Sequence, residues 1–445
     1  MINRSQIFHR SLSASYPTAV SGQGCYIRDS EGKQYLDASG GAAVSCLGHS
    51  HPRVIEAAKR QLQKLQFVHT SFFTSAAAEE LAERLSAGAP GGPWRAFFVS
   101  GGSEATEAAL KLARQLWVER GEATRDHFIS RWHSYHGNTI GALSVSGNKA
   151  RRKLYDPILI PAVRLIEPCF AYRYKHEGES DENYAERSAK SLDTAIAELG
   201  EGRAIAFIAE TVVGATLGAA PAVPGYFKII RSICDRHGAF LIADEVMCGM
   251  GRCGTLFAME QEGVVPDMIT LAKGLGAGYQ PIGALLVREE LVQEIKGGSG
   301  SFQHGHTYVG HAVAAAAALE VQKVIADEKL VDRVRSKGRQ LEHMLRARFA
   351  DHPHIGDIRG RGLLLALELV HDRNAKTPFA AERRLWAKVK SLAMEEGLIC
   401  YPSGGTADGH NGDHVLIAPP YIVSDAELDE MVDKLSRAID RALAE

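Results

Sequence analysis

At 445 residues, with 45% hydrophobic and 23% charged side chains, the chain has globular composition and is too long for one simple core, so two domains are expected. Lysine plus arginine number 51 against 53 acids, and the resulting formal charge of −2 gives nucleic acid or an anionic membrane no electrostatic reason to bind. The seven cysteines are scattered with no Cys-x-x-Cys pair, and nothing near Cys248 and Cys253 completes a zinc set, so no metal is expected and the thiols read as reduced, in a cytoplasmic protein.

Met1–Arg10 holds no apolar run of the signal-peptide kind, and the stretches near Ala312–Leu319 and Leu363–Leu369 are too short to span a bilayer. His49/His51, His304/His306 and His352/His354 form His-x-His pairs that read as loop histidines. Ala96–Ser100 is a short apolar run closed by Gly101-Gly102. Ser103–Arg120 then carries Ala105, Ala108, Ala109, Leu112 and Leu116 on one helical face. Cys169–Lys190 is polar and tyrosine-dotted and reads as a surface excursion. Ala204–Ala209 is a buried-strand run, and Gly225–His237 is helical, stopping at Gly238. Ala239–Ala243, Met268–Ala272 and Ile282–Val287 are further unbroken apolar runs. Strands buried on both faces have this pattern, which predicts an α/β protein with a mostly parallel central sheet covered by helices.

After an alanine-rich helix over His311–Ala326 the pattern changes. Helices at Leu330–Phe349, Ala381–Glu396 and Asp425–Leu443 flank strand-like Leu363–Leu369 and Val415–Ala418. The expected division is a large domain of residues 60–320 and a smaller α+β domain of residues 1–59 plus 321–445.

Three strand ends carry candidate chemistry. In Ser100-Gly101-Gly102-Ser103-Glu104-Ala105 a strand gives way to a helix through glycines, so free amides and the positive helix end face one spot. That suits a phosphate, and it equally suits an ordinary strand-to-helix turn. Leu241-Ile242-Ala243-Asp244-Glu245-Val246 puts two acids directly after a buried strand, where either a cationic partner or a solvated loop must meet them. Ile269-Thr270-Leu271-Ala272-Lys273-Gly274 ends a strand on a lysine placed to act as an amine nucleophile, or simply as a surface cation. Their conjunction on one sheet fits a cofactor with a phosphate end and a pyridine end. Gly249-Met250-Gly251-Arg252-Cys253-Gly254 matches the dinucleotide glycine pattern, but Pro266 arrives before a long helix can form, and a nicotinamide site is not expected.

Taken in order, these motifs resemble the class III (omega) aminotransferases, fold-type I pyridoxal-phosphate enzymes. The likeness runs through Tyr35-Leu36-Asp37, Gly48-His49-Ser50-His51-Pro52, Ser100–Glu107, Tyr135-His136-Gly137, Ala243–Gly251, Leu271–Gly274, Gly305-His306-Thr307-Tyr308 and Arg359-Gly360-Arg361-Gly362. It implies a pyridoxal 5′-phosphate transaminase with Lys273 as the Schiff-base lysine and proton carrier and Asp244 as partner of the pyridine nitrogen. By the same resemblance Gly102 and Ser103 hold the phosphate, and Tyr135 and Val246 pack on the two ring faces. His136 joins the cofactor-binding set, and Glu210 lies near the substrate end. Thr307 reaches the phosphate of a neighbouring subunit, which implies a homodimer with shared active sites, or a tetramer built from it.

Two departures mark a subgroup. Met247 stands where many glutamate-using members have glutamine, and Leu416 stands where they have an arginine before Ala418-Pro419-Pro420. Both resemble the amine:pyruvate and omega-amino-acid:pyruvate branch. Pro402–His414 contains no arginine, so the residue that binds a substrate carboxylate is unassigned. The expected reaction moves an amino group from a primary amine or ω-amino acid to a keto acid, pyruvate first. The alternatives are a 2-oxoglutarate-dependent relative, or a decarboxylase or aminomutase on the same fold.

Overall fold

The apolar runs of the middle of the chain become neighbours in one seven-stranded sheet in the computed structural model, which describes residues 5–444. Across the sheet the order is Trp94–Val99, Gly283–Arg288, Met268–Leu271, Phe240–Asp244, Ala204–Glu210, His127–Arg131 and Val163–Ile166. Only Gly283–Arg288 opposes its neighbours; the remaining strands are parallel. No α-helix separates it from Met268–Leu271, and without a crossover the next strand must turn back antiparallel.

Side-chain alternation divides the two faces. Phe207, Ala209, Leu241 and Ala243 enter a core shared with helices Asp181–Leu199 and Tyr226–His237. Ala206, Ile208, Phe240 and Ile242 enter another, shared with helix Gly102–Glu119. With both faces covered, Ala204–Glu210 and Phe240–Asp244 are buried at every residue, which is why they read as unbroken apolar runs.

The smaller antiparallel sheet has the order Ile355–Arg361, Leu364–Leu369, Asp413–Ile417, Tyr401–Gly404. It shares a core with helices Leu330–Arg348, Leu385–Glu395 and Asp425–Ala444 and with Leu36 of the strand Gln34–Asp37. Glu368, fully buried on Leu364–Leu369, is ion-paired to Arg359 at 2.6 Å and to Arg173. Arg359 also donates to the Gly218 carbonyl at 2.8 Å, and Arg361 meets Glu262 at 2.6 Å. A buried charge is costly unless paired, so both arginines of the Arg-Gly-Arg-Gly motif are committed to clasping the smaller sheet onto loops of the larger one.

Two expectations are corrected. Cys169–Lys190 is not a surface excursion, because helix Asp181–Leu199 starts within it. Ser180 caps that helix by accepting from the Asn183 amide, and Tyr184, Ser188 and Leu192 form its buried stripe. A buried serine and tyrosine concealed the helical period in an otherwise polar run. The single helix expected over Ala381–Glu396 is broken at Arg384, whose φ is +47°, into a 3-10 turn at Ala381–Arg383 and helix Leu385–Glu395. Gly249–Gly254 lies in turns, and the next element is the short 3-10 helix Ala258–Glu262 rather than a phosphate-facing α-helix. Among the described residues, no helix is long and apolar enough to cross a membrane. All seven cysteines are free and buried.

Candidate active site

Parallel pairing places the strand-end groups side by side. Asp244 is in register with Glu210 on one side and with Thr270 on the other. Three residues beyond Thr270, Lys273 opens a tight 3-10 turn with φ +45°, a left-handed conformation unusual for a side chain of its size. Carboxyl ends of parallel strands are where an open α/β sheet offers a crevice, and here they border a cavity of about 280 Å³.

The carboxylates that line this cavity, Asp244 and Glu210, are both engaged. Asp244, 3% exposed, accepts from His136 Nδ1 at 2.6 Å and from the Val246 amide at 3.0 Å. His136 is itself fixed: its amide donates to Ser146 Oγ at 2.8 Å, its carbonyl accepts from Thr106 Oγ1 at 2.8 Å, and its Nε2 lies 3.3 Å from Ser130 Oγ. Glu245, the second acid of the pair, turns away and accepts from the amides of Ala258 and Met259 at 2.6 and 2.7 Å. Burial pushes its carboxyl up to about 7. Glu210 accepts from the amides of Tyr135 and Gly214, both at 2.9 Å, and burial, seconded by Asp244, raises its pKa. Burial lowers the pKa of the Lys273 amine against the opposing pull of Asp244 and Glu210. A lowered amine pKa increases the neutral, nucleophilic fraction.

Close packing explains the glycines of the motifs. A Cβ on Gly102 would stand 2.8 Å from Val246 Cγ1, so only glycine lets the helix start beside Val246. Gly137, at φ +142°, would bring a Cβ to 2.7 Å from Ser103 Oγ. The Tyr135-His136-Gly137 loop therefore sits on the first turn of Gly102–Glu119, where Ser103 Oγ also accepts from the Asn138 amide at 3.0 Å. The first amides of that helix have no intrahelical acceptor, leaving an anion-binding end in the cavity wall.

Eight of the nine residues singled out from sequence line this one cavity: Gly102, Ser103, Tyr135, His136, Glu210, Asp244, Val246 and Lys273. Thr307 does not; it is exposed in a turn ahead of helix Ala312–Asp327. Met247 also lines the cavity, while Leu416 is fully buried in an apolar cluster with Met247 and Ala215. His414 supplies no cation, since burial pushes its ring down to about 3. Sequence reasoning did not place Arg10, Ala42 or Tyr401 here, and Arg151 lines the cavity as well. Proximity across hundreds of residues left no local signal.

The residues present fit pyridoxal 5′-phosphate. The amide-rich helix start and Ser103 suit its phosphate, the close approach of Gly102 to Val246 suits a flat ring, and the cavity offers one acid, Asp244, for a ring nitrogen and one amine, Lys273, for a carbonyl.

Comparisons with known proteins agree with this geometry. Residues 11–439 match the family described as Aminotransferase class-III. An uncharacterised aminotransferase of Schizosaccharomyces pombe is 42% identical over 99% of this chain and 96% of its own. A putrescine–pyruvate aminotransferase of Pseudomonas aeruginosa is 34% identical over 95% of this chain and 90% of its own. Among solved structures, the omega transaminase of Pseudomonas jessenii in complex with PMP superposes with a TM-score of 0.90 at 35% identity, covering 96% of this chain and 93% of that one.

Proposed function

The chain belongs to the class III aminotransferases, pyridoxal-phosphate enzymes that move amino groups, and from that premise we propose that it transfers an amino group from a primary amine or ω-amino acid to a small keto acid, pyruvate first. The observation that carries this reading is the meeting of Lys273, Asp244 and the helix start at Gly102 in one cavity that Met247 and Ala215 line with apolar surface. A five-carbon dicarboxylate brings a second charge, and leaving it unpaired in such a wall costs several kcal/mol. That the Pseudomonas aeruginosa relative is named for putrescine and pyruvate supports the same choice.

Bound pyridoxal 5′-phosphate supplies the carbonyl that takes up the amine and the ring that accepts electrons when the neighbouring C–H ionises. The protein does the rest. Lys273 Nζ would hold the cofactor, and its amine is the group that would take and return the substrate proton. Asp244, oriented by His136, would pair with the ring nitrogen and favour its protonated form. Tyr135 and Val246 would confine the ring, Ser103 and the free amides would hold the phosphate, and Glu210 would border the substrate space.

In the same reading residues 60–320 form the cofactor-binding domain, and residues 1–59 with 321–445 form the smaller one. Thr307, exposed in this chain, reaches the phosphate in a partner, so the active unit is a homodimer. The seven buried thiols support a reducing, cytoplasmic setting. A second reading, 2-oxoglutarate as acceptor, is favoured by the presence of both Arg10 and Arg151 at the cavity. A panel of amine donors against both acceptors decides. Pyruvate should be preferred by at least about tenfold in kcat/KM, and equal or better use of 2-oxoglutarate refutes the proposal.

A further inference from the structure

We propose that Arg151, over the ring of Tyr135, is the anchor for the substrate carboxylate; this rests on the aminotransferase reading above and fills the role that the missing strand arginine leaves open. Arg151 belongs to the short helix Lys149–Arg152, a few residues past the Tyr135-His136-Gly137 loop. Its guanidinium carbon lies 4.3 Å from the centroid of the Tyr135 ring, and the residue forms part of the cavity wall. Stacking on an aromatic face holds a guanidinium in place without engaging its N–H donors. Among the described residues, no side-chain hydrogen bond or ion pair occupies those donors.

The neighbouring groups leave this role to few others. Arg152 is engaged elsewhere and donates to the carbonyls of Leu143, Ser144 and Ser146 at 3.2, 2.7 and 2.8 Å. Arg359 and Arg361 are locked in ion pairs. The acids of the cavity are likewise engaged: Asp244 with His136, and Glu210 with two backbone amides. A planar fork of free donors thus borders a cavity that Met247 and Ala215 line with apolar surface. That arrangement recognises a small molecule with one terminal carboxylate, held in bidentate fashion, and a short apolar remainder. Pyruvate has that chemistry.

A phosphate is also an anion, so the test separates the two. The cofactor-loaded Arg151→Gln enzyme is compared with wild type on pyruvate and on butanal, an acceptor without a carboxylate, using one amine donor. Binding of propanoate, an unreactive carboxylate, is followed through the cofactor absorbance, and cofactor affinity is titrated separately. The pyruvate-to-butanal ratio of kcat/KM should fall at least about tenfold, with a parallel loss of propanoate binding. Arg151→Lys should keep part of both. Should Arg151→Gln misfold, Arg151→Met, which keeps an apolar stem on Tyr135, carries the same comparison. An unchanged ratio overturns the proposal, as does a weakened cofactor with equal loss on both acceptors, which assigns Arg151 to the phosphate. A ratio that falls in Arg10→Gln and not in Arg151→Gln moves the anchor to Arg10. If the wild-type enzyme aminates no acceptor, the aminotransferase reading fails on its own, and propanoate binding still decides the anchor.

Discussion

Gly102→Ala tests the packing logic of the cofactor slot. The new Cβ would stand 2.8 Å from Val246 Cγ1 and 3.2 Å from Cγ2. Carbon atoms rest about 3.5–4.0 Å apart, so Val246 has to retreat by roughly 1 Å. It is poorly placed to do so, because its amide is tied to Asp244 Oδ1 at 3.0 Å. Forcing an extra methyl group into a packed wall costs about 1–3 kcal/mol. Alanine recovers up to about 1 kcal/mol of helix propensity, less at a first helical position. Global stability should therefore stay within about 2 kcal/mol of wild type. Because the wall that moves faces the ring, cofactor affinity should drop about tenfold, the equivalent of roughly 1.4 kcal/mol. Apoenzyme titrated with pyridoxal 5′-phosphate, read by absorbance, measures this directly. Gly102→Ala/Val246→Ala removes the clash, so the double variant should bind better than the two single losses added together, by at least about 1 kcal/mol of coupling. Unchanged affinity in Gly102→Ala, or strict additivity in the double variant, refutes the reasoning.

Lys273→Ala should bind the cofactor only non-covalently and lose turnover; borohydride that still tethers cofactor to this variant contradicts the assignment. Asp244→Asn removes the charge that His136 orients, and should slow substrate C–H exchange at least about 100-fold while the fold is kept. Near-normal exchange would place the ring-nitrogen partner elsewhere. The active unit should sediment as a dimer or larger at low concentration, with Thr307→Ala weakening cofactor binding in the dimer. A fully active monomer excludes a shared site.

The central strands were legible in the sequence for one reason: a strand covered on both faces buries every side chain, and Ala204–Glu210 and Phe240–Asp244 show it as unbroken apolar runs. The helix Gly102–Glu119 was legible because one face alone is buried, at helical spacing. Other features depend on partners the local sequence does not contain. The reversed direction of Gly283–Arg288 leaves no mark, since its residues would be just as buried in a parallel strand. Helix Asp181–Leu199 escaped notice because its buried stripe includes Tyr184 and Ser188, whose polarity masks the period. His136 meets Asp244 from 108 residues away. Arg151 and Arg152 are adjacent, alike in chemistry, and about 100° apart on a helix. Packing alone turns Arg152 onto the carbonyls of Leu143, Ser144 and Ser146 and leaves Arg151 over Tyr135, in the wall of the cavity.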